Sequence, residues 1–256
     1  MTEEIFNAQN IDKRFGGIQA LDGVSIQVKK KSILGLIGPN GSGKTTFFNV
    51  TTGWLPNESE DGSITFNSER IDGLMPHKIT LRGLSRTFQK TRIFAVMTVL
   101  DNMLLAAPRQ GGEKFFSVFF RRKEWKKQES EIRNRAFEIL KFLEIDHLVD
   151  QPAKNLSGGQ QKLLALGRVL MASDKLILLD EPVAGVNPVL AKKIFNQITK
   201  MREEEEITFF VIEHNMDVIM SFCDEILVMH RGDVLTGGTP DEIKANKDVV
   251  EAYLGG

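Results

Sequence analysis

Hydrophobic and polar positions along this chain follow two rhythms. Short apolar and β-branched runs recur as SIQV, SILGLIG, SITF, KLILLD, TFFVIE, EILVMH and DVLTGG. KLILLD and TFFVIE are apolar almost throughout, which predicts central strands covered on both faces, and helical patterns lie between the runs. SIQVKK and GSITFNSER instead alternate, and they predict an antiparallel sheet flanking the parallel one. The layout is α/β.

From about Thr91 to Leu170 strand signals disappear, and NRAFEILKFLEI and GQQKLLALGRVLM carry apolar residues at helical spacing. Residues 91–170 are therefore expected to be a helical subdomain set into an α/β core made of 1–90 and 171–256. Its first part, APRQGGEKFFSVFFRRKEWKKQE, mixes a Gly-Gly turn, four phenylalanines and a basic cluster of Arg121, Arg122, Lys123, Lys126 and Lys127. A helix with a solvated basic face is the plainer reading; a contact surface near a membrane partner is the other, since Phe beside Arg and Lys suits that boundary. The acidic run Glu203 to Glu206 reads as a solvated turn before a strand. No internal repeat or low-complexity linker is present.

At 256 residues and 41% hydrophobic content the chain has ample material for a core. Thirty-three basic and thirty-four acidic residues leave a net charge of −1, so there is no global attraction to nucleic acid or anionic lipid. The single cysteine, Cys223, excludes an internal disulfide and suits a reducing compartment; its apolar neighbours predict a buried structural thiol. The longest apolar runs fall far short of the ~20 residues that span a bilayer. The opening MTEEIFNAQN has acids where a signal peptide needs a positive charge. A cytoplasmic protein is expected, held at any membrane by a partner.

The candidate chemistry begins at SILGLIGPNGSGKTTFFNVTTG, a strand, a glycine-rich loop and a helix carrying G-x-x-x-x-G-K-[ST]. Over Gly38, Pro39, Asn40, Gly41, Ser42 and Gly43 the loop can turn several N–H groups toward phosphate oxygens. Lys44 adds a point charge, Thr45 a hydroxyl for Mg²⁺, and Thr46 another residue of the helix mouth. KLILLDEP supplies a second half: Asp180 stands at the carboxyl end of a buried strand, placed to hold a Mg²⁺ water. Glu181, one residue on, can face an attacking water as general base. Its alternative role is an acid at a helix start before Pro182.

A second helix mouth, LSGGQ, precedes an apolar-periodic helix. Ser157 can be its N-cap, and Gly158 and Gly159 can let a phosphate approach the backbone. A cap alone is expected to need neither both glycines nor Gln160.

With these motifs together, the chain resembles from end to end the ATP-binding subunit of ABC transporters. The resemblance implies a phosphate-loop NTPase with a RecA-like parallel sheet core, an antiparallel β subdomain and an inserted helical subdomain, all one nucleotide-binding domain over 1–256. It also implies further site residues: Gln89 in RTFQK looks like the glutamine that touches Mg²⁺, and His214 in VIEHNMD like the switch histidine. A histidine leaving the carboxyl end of a buried strand also faces the site on structural grounds. Phe15 in KRFGG looks like the aromatic residue that stacks on adenine, with a place in the core as its alternative. One departure is Asn187 in DEPVAGVNP, where many members carry Asp; the loop then lacks that charge.

The AGxNP form, RTFQ, IFAVMTVLDN and the ending VVEAYLGG are similar to the ATPases of branched-chain amino acid importers. Lipopolysaccharide-exporter ATPases look alike through much of the chain but usually keep Asp in that loop. The family implies MgATP hydrolysis coupled to transport, two ATPase chains closed head to tail, membrane-spanning permease subunits, and for an importer an external binding protein. Nucleic acid is not an expected partner. A soluble ABC ATPase acting on DNA or ribosomes remains the alternative from another class; its usual coiled coils, zinc cysteines or fused second cassette are not seen here, and nucleic-acid-stimulated turnover would distinguish it.

Overall fold

The computed structural model describes residues 3–87, 93–108 and 122–254. Strands β1 (Glu4–Phe15), β2 (Ile18–Lys29), β4 (Ser63–Phe66) and β5 (Glu69–Arg70) form an antiparallel sheet in the order β2-β1-β4-β5. The second sheet contains β3 (Ile33–Ile37), β6 (Leu84–Arg86), β7 (Leu176–Asp180), β8 (Thr208–Ile212), β9 (Glu225–His230) and β10 (Asp233–Gly238). Its order is β10-β9-β3-β8-β7-β6, parallel except for the antiparallel edge β10.

All residues of β3, β7 and β8 are buried, as their continuous apolar character predicts. Alternate side chains serve opposite faces. Ile33, Ile37, Ile177, Leu179, Phe209 and Val211 join one core cluster, whereas Leu34, Leu36, Leu176, Leu178, Phe210 and Ile212 join the other. Helix α1 (Lys44–Thr51) lies on the second face. There Phe47 and Phe48 meet Phe210 edge-on, with centroids 6.2 and 5.0 Å apart, which fixes the helix against the middle of the sheet.

After the short α2 (Pro76–Thr80) and β6, no strand occurs among the described residues until β7. Helices α3 (Val99–Leu104), α4 (Arg122–Phe142) and α5 (Gly158–Ala172) fill that interval. They pack through Met103, Leu140, Leu143, Leu163 and Leu164, all part of the first core cluster. Gly167 stands at the crossing, where an added Cβ would come within 3.0 Å of both Leu143 and Met103. The chain closes with α6 (Pro188–Glu204), α7 (Met216–Phe222), α8 (Pro240–Ala245) and α9 (Lys247–Leu254).

Several details depart from the sequence-based expectations. Strand β1 escapes the period-two pattern because its pairing with β2 shifts register repeatedly, with Asn10 at φ 50. The acidic run is not simply a solvated turn: Glu203 and Glu204 finish α6, Glu205 pairs with Arg135 at 2.6 Å, and Glu206 pairs with Lys31 at 2.6 Å. Cys223, in contrast, is buried as its apolar neighbours predict, and burial pushes its thiol up to about 12. The phenylalanines of FFSVFF and Arg121 lie outside the described residues; Arg122, Lys123, Lys126 and Lys127 lie on α4, and Lys127 is exposed, 3.9 Å from Glu131. No helix among the described residues is long and apolar enough to cross a membrane.

Candidate nucleotide site

The glycine-rich loop joins β3 to α1 and is braced from outside. Gly38 has φ +147, and a Cβ there would stand 2.1 Å from the Met229 carbonyl oxygen; at Gly43, φ +103, it would stand 2.5 Å from that of Ala20. Gly232 N–H also donates to the Ser42 carbonyl at 3.1 Å. The loop is thus pinned by β2 and by the β9–β10 turn. Gly41, φ +79, meets nothing within 4 Å and answers only to conformation. Gly38→Ala is therefore expected to collapse nucleotide affinity, whereas Gly41→Ala costs about 1–2 kcal/mol of backbone strain; titration with a fluorescent ATP analogue checks the order.

Lys44 is buried and its ammonium folds back, donating to Gly38 O and Pro39 O at 2.9 Å each and to Ser42 Oγ at 3.3 Å. Burial pulls its pKa below the ordinary lysine value, and the Glu181 and Asp180 carboxylates pull it back up. Helix α1 has no side-chain cap and no acid in its first turn. Its first N–H groups, with exposed Thr45 and half-buried Thr46, thus form an open, electropositive mouth beside Pro39 and exposed Asn40.

Asp180 ends β7 almost fully buried. Its Oδ2 accepts from Arg86 Nη2 at 3.0 Å, its backbone N–H donates to Thr87 Oγ1 at 3.0 Å, and Oδ1 is buried with no hydrogen-bond partner. Burial raises the carboxyl's pKa, opposed by Arg86. A buried, unpartnered carboxylate oxygen is what a hard cation with oxygen ligands would complete.

Glu181 follows with φ +51, a left-handed conformation that carries strain in a non-glycine residue. Its Oε1 lies 3.1 Å from His214 Nε2, so two residues that leave adjacent parallel strands meet just beyond the strand ends. Glu181 is therefore not merely a helix-start acid, since α6 begins only at Pro188 with Asn187 as its N-cap, 2.9 Å from Leu190 N–H. Asn187 caps as Asp would.

At the second mouth, Ser157 does cap α5. Gln160 N–H donates to Ser157 Oγ at 3.3 Å and Ser157 N–H to Gln160 Oε1 at 2.9 Å. This corrects the expectation that a cap has no use for the glutamine: Gln160 closes a capping box. Gly159 also has a local cause, because a Cβ there would sit 2.2 Å from Leu190 Cδ2, while Gly158 faces open space. Phe15 is 47% exposed at the end of β1, which removes the core alternative, and Lys13 Nζ lies 5.6 Å from its ring centre. Gln89 lies outside the described residues.

The family model described as "ABC transporter" matches residues 21–184. The chain belongs to the ABC transporter family. A second, short model, "Branched-chain amino acid ATP-binding cassette transporter", matches residues 234–256 of this cassette. The cassette is 43% identical over 98% of its length, and 96% of the relative's, to the "Probable branched-chain amino acid transport ATP-binding protein LivG" of Archaeoglobus fulgidus. Among solved structures it is similar to the ADP conformation of MJ1267, an ATP-binding cassette of an ABC transporter (TM-score 0.85, 40% identity, full coverage at 100% of both chains). It is also similar to the dimeric post-hydrolysis state of the cassette MJ0796 bound to ADP and Pi (TM-score 0.74, 25% identity, 92% of this chain and 99% of that one).

Two residues of the cassette's site were not singled out by the sequence-based reading. Arg86, 5% exposed at its side chain, joins β6 to the Asp180 carboxylate and to Asn49 Oδ1 on α1 at 2.8 Å. Glu213 is buried between the loops that carry Glu181 and His214. For Glu213 a signal existed: an acid closes the apolar run TFFVI just as Asp180 closes LILL.

Proposed function

We propose that this cassette hydrolyses MgATP to power a membrane transporter of branched-chain amino acids, working as one of two ATPase chains. The observation that carries the reading is the Glu181–His214 pair, 3.1 Å apart, beside the Lys44 loop. Adenine stacks on exposed Phe15, and the polyphosphate enters the loop from Gly38 to Thr46. Lys44 then exchanges neutral carbonyl partners for phosphate oxygens, a stronger charge-assisted interaction. Glu181 takes the proton of the attacking water as the bond from the γ phosphorus to the bridging oxygen breaks, and His214 Nε2 holds the carboxylate in line. Thr45, Gln89 and Asp180 Oδ1 are the oxygen donors that would hold Mg²⁺, which when bound neutralises phosphate charge.

The partner chain's Ser157 mouth caps the γ phosphate from the other side. The capping box uses Ser157 Oγ as acceptor and leaves its proton for an anion, and the N–H groups of Gly158 and Gly159 have no acceptor within the helix. The dimeric relative supports this reading. Ser157→Arg, placed on a hydrolysis-deficient Glu181→Gln chain, is expected to leave ATP binding intact and to abolish ATP-driven dimerisation in gel filtration. An unchanged dimer would refute the shared site.

Permease subunits would dock on an exposed apolar groove. A groove of about 1020 Å³ between α2, β6 and α5 is lined by Trp54, Ile79, Ile93, Phe94 and Val169, with Trp54 and Phe94 about half exposed. The names of the full-length relatives and the C-terminal match support branched-chain amino acids as cargo. Reconstitution with the native membrane companions tests this. Turnover is expected to rise with a leucine-loaded external binding protein; indifference to it, with stimulation by lipopolysaccharide, would overturn it.

A further inference from the structure

The proposed catalytic pair is assembled from two separate loops, so its geometry depends on how those loops are held relative to each other. His214 is 39% exposed at its side chain, so packing does little to direct its ring. Glu181 holds a strained φ of +51, a conformation that persists only where neighbouring structure imposes it. The strand ladder reaches them only in part: Asp180 is in register with Ile212, and Glu181 N–H adds one more bond to the Ile212 carbonyl at 2.9 Å. Beyond that bond the ladder ends and the two strands run into separate loops.

What bridges those loops is Glu213, 2% exposed. Its Oε1 accepts from Val183 N–H at 2.8 Å, two residues after Glu181. Its Oε2 accepts from His214 N–H at 3.0 Å and from Asn215 N–H at 3.3 Å. One carboxylate therefore ties both loops through their backbones, one oxygen to each. Burying a carboxylate is costly unless it is hydrogen-bonded, and an apolar residue here would leave the N–H of buried Val183 without its acceptor. These bonds fix geometry as well as satisfying the donors, since bonds from N–H groups to a charged acceptor are short and directional. Lys162 adds to the cluster, bonding Ala184 O in the loop after Glu181 and lying within electrostatic reach of Glu213 and Glu181.

We infer that Glu213 is the positioning residue that sets the Glu181–His214 geometry, acting on hydrolysis without touching nucleotide. The inference rests on the catalytic reading of that pair.

Glu213→Gln is the test variant, because it keeps the shape and one acceptor oxygen but turns an NH₂ group toward one of the two loops. It should lower kcat about tenfold and Glu213→Ala about 10²-fold, with KM for ATP within about twofold in each, the pattern of misplacement remote from the binding site. A double-mutant cycle makes the mechanism visible. On a Glu181→Gln chain, Glu213→Gln should cost less than about twofold, since the group it positions is already absent. An equal loss in both backgrounds, a raised KM with unchanged kcat, or failure of Glu213→Gln to fold would each overturn the inference. If Glu181→Gln itself retains wild-type turnover, the catalytic reading fails; if it is slow while Glu213→Gln is not, only the inference fails.

Discussion

Glu181→Gln is expected to slow phosphate release by about 10² to 10⁴-fold while ATP affinity stays within about twofold, the range for removing a positioned general base. The reasoning is local. Gln has the same length and can still bond His214 Nε2 across the 3.1 Å gap, so the constellation survives. It cannot take a proton from water. Binding is left to the loop over Gly38 to Thr46, whose braces at Met229, Ala20 and Gly232 do not involve residue 181. Single-turnover phosphate release, with a parallel nucleotide titration, checks both halves. A variant hydrolysing ATP at near wild-type rate would remove Glu181 from the mechanism.

Arg86→Ala is expected to lower the unfolding free energy by about 3–5 kcal/mol, the cost of removing one partner of a buried ion pair. Side-chain exposure is 5% for Arg86 and 1% for Asp180, so solvent cannot replace what is lost. The guanidinium also bonds Asn49 Oδ1 at 2.8 Å, Thr52 Oγ1 at 3.3 Å and the Thr87 carbonyl at 3.2 Å, and it faces the Phe48 ring at 5.8 Å. Burial already raises the Asp180 pKa with Arg86 present, which marks how poorly this carboxylate would tolerate losing it. Urea denaturation measures the effect, and Arg86→Met with Asp180→Asn should recover much of it by removing the stranded charge. A loss below about 1 kcal/mol, the range of an exposed pair, would show that the pair is not a structural anchor.

These two residues also mark what the sequence makes legible. The role proposed for Glu181 can be read because its placing is written in adjacent positions: a buried apolar strand, an aspartate at its end and an acid one step further. The loop from Gly38 to Thr46 is legible for the same reason, since phosphate binding depends on spacing within a few residues. Arg86 closes a three-residue strand, too short for a period, and its partner is 94 positions away. Nothing beside it in the chain distinguishes a buried guanidinium from a solvated one. Strand β1 is missed for a geometric reason, its irregular register, and β6 for its length. At the second mouth the capping box is itself legible, in the S-x-x-Q of LSGGQ, whereas the contact of Gly159 with Leu190 joins residues too far apart in the chain to be read together.

That contact has a mechanical side. Leu190 fills the space where Gly159 has no side chain, and it sits in the first turn of α6, which the chain reaches directly from Glu181. The lip of α5 and the start of α6 therefore cannot slide independently without opening a void or driving atoms together. On the proposed reading, the surface that would be lent to a neighbour's nucleotide and the loop that would orient water for one's own are thus keyed to each other through a single leucine.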